Sequence, residues 1–236
     1  MLTDYVVIDL EMTGLNAKTD RILEAGAARV RGNVVTAAFS EIINPKRKLS
    51  EKVVTNEMAV QGKEMDATLM AFLDFIGEDI LVGQNVIFDY SFLKQWAVNH
   101  KRTFERNAVD TLKLARKFLP QEQKKDLASL CSYFGIERVH AHRALDDVME
   151  TQQIFEQMQK MYEAGATEAF RPYPLQYKVK KQSPATPQQI KYLKQFVEFH
   201  GIPMPEIYED ATRSEISRLT DQLIAQYGKM KKEPAE

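Results

Sequence analysis

Val6-Val7-Ile8-Asp9-Leu10-Glu11-Met12-Thr13-Gly14-Leu15 is the stretch from which the fold is read. A β-branched apolar run ending in two carboxylates predicts a buried strand whose C-terminal end carries a site. Side chains alternate along a strand, so Asp9 and Glu11 share one face and Leu10 takes the other. Two neighbouring carboxylates repel unless a cation lies between them, and an all-oxygen donor set suits hard divalent ions such as Mg²⁺ and Mn²⁺. Gly14 lets the backbone turn away directly afterwards. Taken alone, an Asp-x-Glu can also be no more than the acidic end of an exposed strand. The residues downstream give it meaning.

Working outward, residues 16–21 read as a loop, and two further apolar patterns, 22–31 and 34–43, meet at the hairpin signal Gly32-Asn33. Three antiparallel strands are therefore expected at the start. Asn44-Pro45-Lys46-Arg47-Lys48 ends the third and sets three cations at the sheet rim, as a solvated loop or as a phosphate contact. Residues 66–76 predict an amphipathic helix capped by Asp66 and stopped at Gly77. A short buried strand at 79–84 leads into Asn85-Val86-Ile87-Phe88-Asp89, and the next helix carries Phe92, Leu93, Trp96 and Ala97 on one face. A strand near 108–110, a helix over 111–118 closed by Pro120, and a helix over 126–134 stopped at Gly135 follow. The last helix of this region begins near His142-Arg143-Ala144-Leu145-Asp146-Asp147 and runs to Gly165, with Leu145, Val148, Phe155 and Met158 facing the core. Strands first, then strand–helix alternation, predict an α/β fold: a mixed sheet flanked by helices, with the site where strand ends and helix starts converge.

The 236 residues are 44% hydrophobic, enough for one medium domain and a small appendage, and the formal net charge of −1 excludes a strongly basic body. Any nucleic-acid contact must then be local. The single cysteine, Cys131, sits in a helical pattern and reads as core packing in a reducing compartment. With no long apolar run and no charged, cleavable leader, the expectation is a soluble cytoplasmic protein without a membrane partner. The expected domains are 1–165, a linker over 166–186, and a helical module over 187–236. In the linker, Arg171, Lys178, Lys180 and Lys181 interleave with Tyr173 and Tyr177, a solvated tether or a path for a nucleic-acid strand. Thr186-Pro187-Gln188-Gln189 and Thr212-Arg213-Ser214-Glu215 each open a short amphipathic helix with a capping box. Two such helices bury little alone, so the module must dock on another surface or be only marginally stable.

Singly, Asp89 is a first-turn aspartate favoured by the helix dipole, His142 a surface imidazole, and Asp147 one more acidic residue near a helix start. Together, Asp-x-Glu on the first strand, Asn-x-x-Phe-Asp after a short middle strand and His-x-x-x-x-Asp opening a late helix form three motifs in order, each on the expected element. This combination resembles the DEDDh (DnaQ-like) 3′-to-5′ exonucleases of ribonuclease-H-like fold, a family that includes the proofreading epsilon subunit of DNA polymerase III. The resemblance covers roughly residues 1 to 160.

The resemblance implies four metal-binding carboxylates, Asp9, Glu11, Asp89 and Asp147, and a catalytic histidine, His142; the family's spacing selects Asp147 over Asp146. It implies two divalent ions, Mg²⁺ or Mn²⁺, and hydrolysis of single-stranded DNA 3′ ends to nucleoside 5′-monophosphates. Two ions about 4 Å apart activate the attacking water and steady the leaving oxygen, and an imidazole with a pKa near 6.5 can take the proton. It places Met12, Thr13, Gly14 and Leu15 against the terminal nucleotide and His142 in contact with substrate, with Phe88 as a further contact or as core packing. It also implies a DNA polymerase subunit as partner. Asp9 to Leu15 and the His142 motif are similar, too, to oligoribonuclease, a branch acting on short RNA, whereas Asn85 to Asp89 and Asp110-Thr111-Leu112-Lys113-Leu114-Ala115-Arg116 follow the polymerase-type pattern. Asn56-Glu57-Met58-Ala59 departs from the His-Gly-Ile-Thr of many polymerase-type relatives. A reading of another class is a non-catalytic nucleic-acid-binding or scaffold subunit.

Overall fold

In a computed structural model, which describes residues 1–46, 56–138, 143–207 and 211–230, the acidic stretch forms β1 (Tyr5–Met12). It pairs antiparallel with β2 (Ile22–Arg31), and β2 with β3 (Val34–Ile42). Gly32 and Asn33 both have positive φ, 58° and 63°, which is the two-residue turn that fits the strand twist. The chain then passes through α1 (Asn56–Gln61) and α2 (Met65–Ile76) into β4 (Leu81–Gly83), which lies parallel to β1. α3 (Ile87–Asn99), β5 (Asn107–Asp110), α4 (Thr111–Phe118), α5 (Leu127–Phe134) and α6 (Ala144–Tyr162) follow, with β5 parallel to β4. A two-residue strand, β6 (Tyr173–Pro174), pairs antiparallel with β5 and closes that edge. The sheet order is β3-β2-β1-β4-β5-β6, so the expected mixed α/β sheet flanked by helices is present.

The alternation of β1 decides what each face meets. Val6, Ile8 and Leu10 pack with Leu69, Phe72, Tyr90 and Leu93 of α2 and α3. Tyr5 and Val7 pack with Val148, Phe155 and Met158 of α6 and with α4 and α5. Asp9 and Glu11 continue this second face, so α6 is the helix that runs toward the carboxylates. Cys131 is fully buried in the same cluster, as its apolar neighbours predict.

One local reading is corrected. The N-cap of α2 is Glu64, whose extended backbone brings its carboxylate to the Ala67 N–H at 2.8 Å, while Asp66 accepts a hydrogen bond from Trp96 Nε1 at 2.9 Å. Residues 56–59, read only as a departure from a family segment, begin α1, and Ala59 packs on Leu23. Of the cations after β3, Arg47 and Lys48 lie outside the described residues.

Contacts divide the chain into two units, Met1–Val179 and Lys180–Glu236. Within the stretch expected as a linker, Thr167–Phe170 form a 3₁₀ turn that buries Phe170 against Phe118 and Phe155. Leu175 also joins the core of the first unit, and its N–H bonds the Arg106 carbonyl at 2.9 Å. In the second unit α7 (Pro187–His200) and α8 (Arg213–Tyr227) both start with the expected capping boxes, and Leu193, Val197, Ala211 and Ile216 form a small core. No helix among the described residues is long and apolar enough to cross a membrane.

Candidate active site

Asp9 and Glu11 stand on β1 opposite Gly26 and Glu24 of β2, respectively. Gly26 lets α6 lie directly on the strand: a Cβ there would come within 2.5 Å of the Ala144 carbonyl carbon and 2.7 Å of its oxygen. Glu24, fully buried, receives the Arg143 guanidinium, Nε at 3.2 and 3.1 Å from its two oxygens and Nη2 at 3.0 Å from Oε1. A buried carboxylate needs such a forked partner, and the pairing pins the residue that precedes α6. With the helix start fixed from below by Gly26 and from the side by Glu24, Asp147 in the first turn arrives beside Asp9 and Glu11. One carboxylate oxygen from each of the three lies within 4.8 Å of the others.

Asp89 is delivered from the other side of β1. Asn85, in the left-handed region at φ 61°, turns the chain out of β4; its N–H bonds Asp110 Oδ1 at 3.0 Å and its carbonyl accepts from the Phe88 N–H at 3.0 Å. Asparagine tolerates this backbone conformation, which accounts for the first residue of the Asn-x-x-Phe-Asp motif. Asp89, buried in the first turn of α3, accepts the Leu10 N–H at 3.0 Å. The carboxyl is thus locked to the β1 residue between Asp9 and Glu11.

The electrostatics follow from this crowding. Burial, and then the charges of Asp89, Asp147, Glu11 and Glu24, hold the Asp9 carboxyl well above the usual carboxylate range. Burial, opposed by the Leu10 hydrogen bond and reinforced by Asp110 and Glu11, raises Asp89 to about 8. Among the described residues, Arg143 near the cluster is tied to Glu24, and Arg138 bridges the cluster's own Asp147, Oδ1 at 2.6 Å, and Glu150, Oε2 at 2.8 Å. Convergent, mutually repelling oxygen donors fit one or more hard divalent cations.

Among the residues expected to grip substrate, Leu15 is 78% exposed and Phe88 36% exposed, so Phe88 is a half-open ring at the α3 start rather than core. Thr13 is engaged in its own loop, its N–H on the Arg21 carbonyl and its hydroxyl oxygen accepting the Arg21 N–H, both at 2.9 Å. Gly14 makes room for Asp20, whose carboxylate would lie 2.5 Å from a Cβ and which accepts the Asn16 N–H at 2.8 Å. Met12 is half-buried beside the α2–α3 core. His142 lies outside the described residues. Glu24, Gly26, Arg138 and Glu150 were not singled out from sequence. A glycine at the centre of a long strand signals a close backbone approach, and that signal was present at Gly26.

Residues 6–155 match the protein family described as exonuclease, and the chain belongs to that family. The subunit epsilon of DNA polymerase III from Aquifex aeolicus is 34% identical over 157 residues, 64% of this chain and 78% of that protein. A PolC-type DNA polymerase III of Clostridium perfringens is 32% identical over 156 residues, and the chain spans only 11% of that polymerase's length. Among solved structures, exonuclease X in complex with 5′ overhanging duplex DNA shares the fold with a TM-score of 0.56 at 20% identity, covering 70% of this chain and 96% of its own. The α/β fold is thus the ribonuclease-H-like fold of the DEDDh exonucleases.

Proposed function

We propose that the chain is a metal-dependent exonuclease that removes nucleoside 5′-monophosphates from the 3′ end of single-stranded DNA. The observation that carries the reading is the convergence of Asp9, Glu11 and Asp147 within 4.8 Å, with Asp89 fixed to the same strand by Leu10. Membership of the exonuclease family and the similarity to an epsilon subunit support the class of reaction. Two divalent ions, Mg²⁺ or Mn²⁺, would supply an activated water and stabilise the leaving oxygen. Asp9, Glu11, Asp89 and Asp147 would hold them. His142 takes the proton of the attacking water in this reading, by its place in the motif. Leu15 and Phe88, both accessible at the ends of β1 and α3, bracket the terminal base, while Met12, Thr13 and Gly14 shape the loop beneath it. The DNA polymerase subunit is the partner suggested by the epsilon relative, in proofreading and in the cytoplasm.

A time course with 5′-labelled DNA and RNA strands, short and long, tests this directly. A ladder shortening from the 3′ end of long DNA, abolished by chelator, is expected. Preference for the shortest RNA would move the assignment to the oligoribonuclease branch, and no metal-dependent shortening would leave a binding or scaffold role. His142→Ala should retain Mn²⁺ binding by calorimetry while turnover falls by about 10²–10⁴-fold, the usual contribution of a general base. Unchanged turnover would remove His142 from that role.

A further inference from the structure

Glu150 is a buried carboxylate that the reaction as described leaves unused. It follows Asp147 by three positions on α6, so the two side chains occupy neighbouring places on one helix face. Arg138 joins them, Nη2 to Asp147 Oδ1 and Nε to Glu150 Oε2, with side-chain exposures of only 20%, 7% and 4% for Arg138, Asp147 and Glu150. Glu150 is held from its other side by Cys131 of α5, whose Sγ lies 3.5 Å from Oε2. Burial, and then the Glu150 charge, push that thiol up to about 12, so it stays a neutral donor. Arg138 follows α5 closely and is placed by Ile136, whose N–H bonds the Cys131 carbonyl at 2.9 Å.

We propose that Arg138, anchored on Glu150, is a positioning residue for metal loading, setting the orientation of Asp147 toward Asp9 and Glu11. The proposal rests on the exonuclease reading above. A guanidinium is a rigid planar fork, so once Nε is fixed on Glu150 the direction of Nη2 is fixed as well. Asp147 can then keep its place among repelling carboxylates before a cation arrives. Glu150 itself, buried and held by Arg138 and Cys131, serves as the anchor and not as a ligand. Groups that orient ligands in this manner usually change metal affinity by about 10–100-fold when lost.

The test is Mn²⁺ titration by calorimetry of the full chain, alongside the strand-shortening assay. Arg138→Lys keeps the charge but not the fork, and Arg138→Met with Glu150→Gln removes the pair without leaving Glu150 as a buried carboxylate that has lost its cation. Both should bind Mn²⁺ about 10-fold or more weakly, with kcat restored toward wild type at saturating metal and far-UV circular dichroism unchanged. Mn²⁺ affinity within twofold of wild type in the folded Arg138→Lys protein would overturn the proposal, leaving the pair a purely structural tie. Tighter binding would overturn it in the opposite sense, making Arg138 a competitor of the metal for Asp147. A wild-type chain that neither binds Mn²⁺ nor shortens DNA would overturn the exonuclease reading itself, and the proposal with it. The two failures are therefore separable.

Discussion

Gly26→Ala is expected to disable the site without touching any residue in it. The new Cβ would sit 2.5 Å from the Ala144 carbonyl carbon and 2.8 Å from the Leu145 nitrogen, and these are backbone atoms that no rotamer change can move aside. The start of α6 must lift from β2 or β2 must bend. Overpacking of this kind costs about 1–3 kcal/mol, which at roughly 2–4 °C per kcal/mol for a chain of this size is a melting-temperature loss of about 2–12 °C. The functional loss should be larger in proportion. Asp147 rides on the same turn, and a misplacement of about 1 Å commonly costs on the order of 10²-fold in rate. Thermal melting together with Mn²⁺ titration distinguishes the outcomes. A variant that melts and binds metal as wild type does would show that the close approach of α6 to β2 does not position Asp147.

Asp9→Asn should separate stability from function in the opposite direction. In the metal-free protein the Asp9 and Asp89 carboxyls are both raised, so between the ordinary 3.8 and about 8 the folded chain holds protons that the unfolded chain has released. Stability of the metal-free form therefore falls as pH rises through that window, the sign set by the greater proton binding of the folded state. Removing the Asp9 charge relieves part of this repulsion. The metal-free variant is expected to melt several degrees higher than wild type at pH 7.5, with little difference near pH 4. Added Mn²⁺ should raise the melting temperature of wild type more at pH 8 than at pH 5.5, because the cation must displace those protons. It should leave Asp9→Asn unmoved. Strand shortening should fall by at least the ~10²–10³-fold that loss of a single oxyanion donor costs. A metal-free Asp9→Asn protein less stable than wild type at pH 7.5 would mean that the carboxylates are not mutually destabilising.

How much of this could be read from sequence depended on how local each cause is. The three first strands, the turn at Gly32-Asn33 and the two capping boxes are short-range features, and the structure has them where the residues place them. Asp9, Glu11 and Asp147 converge as their motifs imply, because each sits at a strand end or helix start whose direction the apolar pattern sets. The Glu24–Arg143 and Arg138–Glu150 pairs could not be read in this way. Glu24 and Arg143 are 119 residues apart, and a charged residue in a strand looks solvent-exposed until the helix above it is known. Glu64 rather than Asp66 caps α2 because the cap is chosen by one residue's backbone angles, and both carboxylates satisfied the same pattern.

The two-residue strand β6 has a practical bearing on any attempt to separate the nuclease portion from the rest of the chain. Parallel strand β5 would otherwise show its open hydrogen-bonding edge to solvent, and an open edge is a template for the strand of another molecule. A chain cut after Gly165 would lose β6, Phe170 and Leu175 at once, and should precipitate or self-associate during purification even with every carboxylate intact. A cut after Val179, where the first unit ends, keeps the edge covered and is expected to give a monodisperse protein by light scattering.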